Sequence, residues 1–129
     1  VNEEFVHLHV HSVYSLLDGT CRLGALAEQA STLSMNALAV TDHGVLHGAR
    51  EWRDAARANG INPIVGCEIY VVEGSRKERA PTQGERVYRL TVLAETTVGY
   101  RNLLKIVSAS HLEGYHRVPR VDERLLAEH

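Results

Sequence analysis

His9-Val10-His11-Ser12-Val13-Tyr14-Ser15-Leu16-Leu17-Asp18-Gly19 is the stretch on which the reading of this chain turns. Leading into it, Phe5, His7, His9 and His11 alternate with Val6, Leu8 and Val10. Alternation at period two predicts a half-buried strand over residues 5–11. Such a strand puts three imidazoles on one face and three aliphatic side chains on the other. Two later stretches have the same form. Val40-Thr41-Asp42-His43-Gly44 and Ile64-Val65-Gly66-Cys67-Glu68 are short apolar runs that end in groups able to bind metal. Imidazole suits zinc, manganese and iron, while carboxylates add charge and can bridge two ions. Several such groups at strand ends predict a polynuclear metal site.

Length and composition narrow the class. The 129 residues are enough for one ordinary domain, and 44% apolar with 23% charged residues is close to the globular average. Disorder and coiled coil do not fit that composition. A net charge of −2 is not the footprint of a protein that grips DNA by broad charge neutralisation, although a local basic patch stays open. Cys21 and Cys67 form no CxxC pair, which reads as two free thiols in a reducing cytosol. No apolar run approaches membrane-spanning length, and no charged leader followed by an apolar core opens the chain. A cytoplasmic location is therefore expected.

Working outward from the opening strand, Leu23, Leu26, Ala27, Ala30 and Leu33 recur at helical spacing, with Thr20 as the expected cap. Leu38 to Thr41 makes a second strand. Residues 47–58 read as a helix with Ala49, Trp52 and Ala56 on one side, stopped at Gly60. A third strand lies within residues 61–72, with Pro63 at its start because proline cannot donate to a ladder. Residues 73–86, with Gly74, Pro81 and Gly84, read as an exposed loop. Strand character returns over 87–94. Residues 98–112 are helical, with Leu103, Leu104, Ile106 and Val107 available for burial. A loop through Gly114 and Pro119 follows, and Asp122 caps a short last helix over 123–128. Strands alternating with helices imply parallel strands with ligand groups at their carboxyl ends. His9, His11, His43 and Glu68 all fall at or just after predicted strand ends.

Two histidines two residues apart on a strand point the same way and can reach one ion, so His9 and His11 are the strongest local signal. His7, one step deeper, fits an interior hydrogen-bonded histidine better than a ligand. Asp18 has a competing reading as the first half of an Asp-Gly turn. Asp42 could orient His43 or simply make a turn. Glu68 lies in a buried-looking run, where a carboxylate without a partner is costly, so a metal or an ion pair is expected. Cys67 should face away from it and pack. His47, His111, His116 and His129 have no partners at ligand spacing and read as surface residues. Arg117 and Arg120 could touch phosphate, but a solvated loop is the simpler reading, and Trp52 reads as core.

Together these segments resemble the polymerase and histidinol phosphatase (PHP) domain. More narrowly they are similar to the N-terminal PHP domain of the bacterial C-family replicative polymerases, the alpha subunits of DNA polymerase III. His9-Val10-His11, Leu16-Leu17-Asp18-Gly19, Thr41-Asp42-His43-Gly44 and Gly66-Cys67-Glu68 carry the first resemblance. Asn62-Pro63-Ile64-Val65-Gly66, Leu90-Thr91-Val92-Leu93-Ala94, Gly99-Tyr100-Arg101-Asn102-Leu103 and Pro119-Arg120-Val121-Asp122 carry the second. The resemblance implies an α/β fold, the first half of a distorted seven-stranded (β/α)7 barrel with parallel strands. It implies that residues 1–129 are part of one PHP domain with no second domain. It also implies up to three divalent ions (zinc, manganese or iron), with His9, His11, Asp18, His43 and Glu68 at metal-ligand positions and no further catalytic residue. The implied chemistry is phosphoester hydrolysis of the 3′–5′ exonuclease kind inside a DNA-directed DNA polymerase. The implied partners are DNA and other polymerase domains and subunits, with no membrane. Two departures stand out. Arg89 occupies a place where metal-binding relatives carry histidine, and arginine cannot ligate a cation. The family's later ligands lie beyond His129. A non-catalytic scaffold is thus the rival reading, and a free-standing histidinol-phosphatase-like enzyme a third. The 129 residues alone are expected to be inactive and to self-associate.

Overall fold

The computed structural model describes residues 5–78 and 86–129. The expected loop positions Pro81 and Gly84 lie outside those residues. The chain runs α1 (Leu23–Thr32), β1 (Ala37–Val40), α2 (Ala49–Ala58), β2 (Asn62–Val72), β3 (Val87–Leu93), α3 (Thr97–Leu112), β4 (Tyr115–His116), β5 (Val118–Asp122) and α4 (Glu123–Ala127). Among the described residues, no helix is long and apolar enough to cross a membrane.

β1, β2 and β5 form a parallel core. β1 pairs with the start of β2, from Ala37 opposite Asn62 to Val40 opposite Val65, after a crossover through α2. β5 pairs with the end of β2, from Tyr70 opposite Arg120 to Val72 opposite Asp122. The expected parallel α/β class holds, with two antiparallel additions. β3 returns antiparallel along Gly66–Val72 of β2. β4 pairs antiparallel with β5, where the sequence reading had placed only a loop.

Helix packing buries one side of the sheet. Leu23, Ala27 and Ala30 of α1 meet Trp52 and Ala56 of α2 and Leu38 and Val40 of β1. Trp52 is fully buried, and its indole N–H donates to the Ile64 carbonyl at 3.2 Å. Burying a side chain of that size contributes roughly 1.5–3 kcal/mol. Further along, Cys67 and Ile69 of β2 pack with Leu103 and Ile106 of α3, Val121 of β5 and Leu125 of α4. By alternation, Glu68 and Tyr70 therefore look out on the other face of β2.

Most helix limits follow the sequence signals. Ile61 N–H reaches Ala56 O and Gly60 N–H reaches Arg57 O, which closes α2 in the glycine-terminated manner expected. Asp122 caps α4 by accepting from Leu125 N–H at 3.0 Å. The Thr20 cap does not form; Arg22 precedes α1 and offers no side-chain bond. Leu33, just past the end of α1, and Leu104 of α3 are exposed.

Residues 5–11 do not form the expected strand. Their backbone is held by two bonds, His7 O accepting from Ala39 N–H of β1 and Val10 O accepting from Thr41 N–H just past the end of β1. The Thr41 hydroxyl takes the Val10 N–H at 3.1 Å, so a side chain stands where a ladder partner would be. Leu8 is exposed and only Val6 and Val10 are half-buried, so the alternation survives in part.

Candidate metal centre

Glu68 is the centre of the site. It lies in the middle of β2 rather than at its end, on the face away from the helices, and is 3% exposed. Its Oε2 is 2.7 Å from His9 Nε2 and 2.6 Å from His11 Nε2. The two histidine nitrogens are 3.2 Å apart. Asp18 makes a second convergence. Its Oδ2 is 2.9 Å from His11 Nδ1 and 2.6 Å from His43 Nε2. All five residues singled out in the sequence thus meet in one cluster, with His11 facing Glu68 through Nε2 and Asp18 through Nδ1. His7 does not join them. It is exposed and packs edge-on against Phe5, not in the interior as expected.

Local folding explains how Asp18 and His43 arrive there. Residues 12–19 form a compact turn closed by Ser15 N–H to Ser12 O and Gly19 N–H to Ser15 O. A Cβ at Gly19 would strike the Ser12 carbonyl, which fits the Asp-Gly turn reading, and the same turn brings the Asp18 carboxylate to His11 and His43. The turn is held by Asp42, whose buried carboxylate accepts Ser12 N–H at 2.6 Å, Ser12 Oγ–H at 2.7 Å and Ser15 Oγ–H at 2.7 Å. Ser15 Oγ in turn accepts His43 N–H at 3.1 Å. Asp42 therefore positions the loop carrying His11 and Asp18, and reaches His43 only through Ser15. His43 also pairs its backbone with Glu68 across the sheet.

Sequence reasoning missed several supports. Tyr70 stacks on the His43 ring, with centroids 6.0 Å apart. His111, read as a free surface residue, places Nε2 2.8 Å from Gly44 O and steadies the segment after His43. Arg120 is not solvated but 2% exposed, donating to Gly114 O and Arg76 O. Period-two spacing in Val118-Pro119-Arg120-Val121-Asp122 was the available signal for it. Cys67 packs as expected, and burial pushes its thiol up to about 12. Arg89 lies at the edge of the site, its Nε 3.7 Å from Glu68 Oε1.

The electrostatics fit a cation-binding set. The His43 hydrogen bond holds the Asp18 carboxyl below its ordinary range, against a smaller desolvation and with help from His11. Burial pushes the Glu68 carboxyl up, but hydrogen bonds from His9 and His11 outweigh it, and the group stays below its ordinary range. A neutral imidazole has one N–H, yet His11 presents both ring nitrogens to carboxylate oxygens. His43 Nδ1 is buried with no hydrogen-bond partner. Two groups, His9/His11/Glu68 and His11/Asp18/His43, each bring three ligand atoms within 4.8 Å of one another. Two nitrogens bound to one zinc ion at 2.0–2.1 Å with tetrahedral angles lie about 3.3 Å apart, close to the 3.2 Å between His9 and His11. Donor types, spacing and the orphaned nitrogen all suit divalent cations.

A parallel-centred α/β sheet that gathers histidines and carboxylates on the face away from its helices defines a class of metal-site domain. The PHP domain family matches residues 7–129, and the chain belongs to that family. The DNA polymerase III alpha subunit of Treponema pallidum is 50% identical over 126 residues, covering 97% of this chain and 11% of that protein. The alpha subunit of Borreliella burgdorferi is 42% identical over 120 residues, covering 92% and 10%. The chain thus spans about a tenth of the length of the curated relatives it matches. Among solved structures, an amidohydrolase from Chromobacterium violaceum superposes with a TM-score of 0.54 at 24% identity, covering 81% of this chain and 34% of that one. A Bifidobacterium adolescentis protein assigned as a metal-dependent phosphoesterase gives 0.54 at 21% identity, covering 82% and 34%. These two likenesses support the fold.

Proposed function

We propose that this chain is part of a bacterial DNA polymerase III alpha subunit and that its PHP site is a divalent-metal phosphoesterase centre acting on DNA 3′ ends. The convergence of His9, His11 and His43 on the carboxylates of Glu68 and Asp18 carries the reading. Divalent cations held there would supply Lewis acidity toward phosphoryl oxygens and a more acidic water. The protein's own part is to fix the donors. Glu68 and Asp18 neutralise cation charge, Asp42 locks the turn that carries His11 and Asp18, and Tyr70 covers one face of His43. Partners on this reading are DNA and the remaining polymerase domains and subunits, in the bacterial cytoplasm. The exposed apolar side chains of Val98 and Leu112 on α3 support self-association of the 129-residue chain by itself.

The second reading, a non-catalytic scaffold, draws on Arg89, whose fixed charge already sits beside Glu68. A full-length subunit carrying this chain separates the two. On the phosphoesterase reading it holds manganese or zinc after dialysis and trims 3′ ends. His11→Ala removes both metal and trimming while polymerisation continues. A wild-type protein without metal establishes the scaffold. Trimming that persists in His11→Ala after the metal is gone places that activity elsewhere.

A further inference from the structure

Beside the histidine–carboxylate cluster lies a cavity of about 340 Å3. Tyr70 of β2 and Arg89 of β3, paired opposite each other, line one part of it, and His116 and Arg117 of the β4–β5 turn line another. Val87 and Val118 add apolar surface. Among the described residues that line it, none is acidic. The cavity adjoins the cluster, because Arg89 Nε is 3.7 Å from Glu68 Oε1 and the Tyr70 ring stacks on His43. Its volume is at the lower end of small-ligand sites, roughly 300–1,000 Å3.

Arg117 adds an independent sign of use. It alone joins β4 to β5, since His116 pairs with Val118, and its φ is +63°. Left-handed backbone suits glycine and is disfavoured for other residues. A side chain kept in such a conformation is a pointer to function. Arg117 is exposed where it lines the cavity, as is most of the Arg89 side chain.

We infer that this cavity is a phosphate subsite, in which Arg89 and Arg117 hold the phosphate next to the one presented to His9, His11, Asp18, His43 and Glu68. The inference rests on the phosphoesterase reading of that cluster and deepens it. A substrate that fills both places must carry phosphates in succession, which selects an oligonucleotide over a small phosphomonoester. The planar guanidinium forks give bidentate bonds to phosphate oxygens, His116 supplies a further polar group, and Val87 and Val118 take apolar parts of a nucleotide.

The test uses the 129-residue chain in EDTA, so that metal plays no part. Fluorescein-labelled thymidine trinucleotide is titrated and followed by anisotropy, with its methylphosphonate analogue as the neutral-backbone comparison. Arg117→Gly relieves the left-handed strain, so a purely structural arginine predicts a higher Tm and unchanged binding. The subsite predicts a higher Tm with binding weakened fivefold or more. It also predicts a fall of about 0.7 in the slope of log K against log salt, as expected for one lost single-strand phosphate contact. Arg89→Met should weaken binding to a similar degree, and Lys105→Met on α3 should leave it unchanged. No trinucleotide binding by wild type, equal binding of the methylphosphonate, or equal loss in Lys105→Met overturns the inference. So does Arg117→Gly or Arg89→Met binding within twofold of wild type. The metal reading is judged separately by metal retention in His11→Ala. Should that variant keep its metal while the EDTA results hold, the phosphoesterase reading fails and the phosphate site stands.

Discussion

Replacing Asp42 with alanine removes the acceptor of three hydrogen bonds at 2.6–2.7 Å and leaves Ser12 N–H, Ser12 Oγ–H and Ser15 Oγ–H facing a small buried void. Bonds to a charged acceptor contribute about 1.5–3 kcal/mol each, and orphaned buried donors cost about 1–3 kcal/mol. The sum is not realised in full. The buried carboxylate itself carries a desolvation penalty of several kcal/mol, and water can reach a relaxed turn. A net loss of about 3–4 kcal/mol is expected, a large share of the roughly 5–15 kcal/mol that holds a domain of this size. Asp42→Asn should cost less, about 1–2 kcal/mol. Its Oδ1 retains the Ser12 N–H and Ser15 Oγ–H bonds, and only the Ser12 hydroxyl must turn. Urea denaturation of the two variants beside wild type measures both differences. The reasoning fails if Asp42→Ala costs under about 1 kcal/mol, or if alanine and asparagine cost the same.

Three further outcomes are expected. Arg76 donates to Asp122 through its backbone and guanidinium at 3.0 and 2.8 Å; burial pushes the Asp122 carboxyl up, but those bonds and the Leu125 N–H outweigh it and its folded pKa lies below the ordinary value. A depressed folded pKa contributes stability that is present above the unfolded pKa, near 3.9, and is lost as pH falls through the folded value. The Tm of wild type should therefore fall more steeply below about pH 4 than that of Asp122→Asn, and parallel curves would refute the assignment. Exposed Cys21 should react with Ellman's reagent in the native chain while buried Cys67 reacts only after denaturation, so that two fast thiols in the native protein would contradict the packing. Arg89→His replaces a fixed charge beside Glu68 with a ligand, and elemental analysis of the full-length protein should find additional bound metal; an unchanged count would show that Arg89 does not stand in for an ion.

The parts of the fold that could be read in the sequence are those set by neighbours along the chain. α2 was legible because Trp52 and Ala56 share one face and Gly60 ends it, and the cap of α4 because Asp122 stands directly before it. Residues 5–11 were misread for a physical reason. Their alternation is that of a strand, but the Thr41 hydroxyl takes the Val10 N–H, and the segment is held by one backbone bond from Ala39 of β1 and one from Thr41 beyond it. β4 and β5 were read as loop because Gly114 and Pro119 are turn formers in isolation, whereas β2 is long enough to pair β5 at Tyr70–Val72. Arg120 was assigned to a solvated loop beside Pro119, and its burial depends on carbonyl oxygens at Gly114 and Arg76 that meet only in the folded chain.

The candidate site divides along the same line. Its ligand types and their spacing were visible, but their convergence depends on sheet register. His43 meets Glu68 because Val40 pairs with Val65, and the same register continues three residues further. Sliding β2 by one residue would turn Glu68 toward the helices and Cys67 toward His11, exchanging a buried carboxylate for a buried thiol on each side. Two features oppose that slip. Cys67 and Ile69 are fully or almost fully buried against Leu103 and Ile106, so the apolar pattern sets which face is inner. At Gly66 a side chain would strike Val92 O and the Thr41 methyl, so no other residue of β2 can take that place between its neighbours without moving them. The chemistry of the centre is thus chosen by the His9–Asp18 stretch, His43 and Glu68, while its register is fixed by the apolar face of β2 and by Gly66.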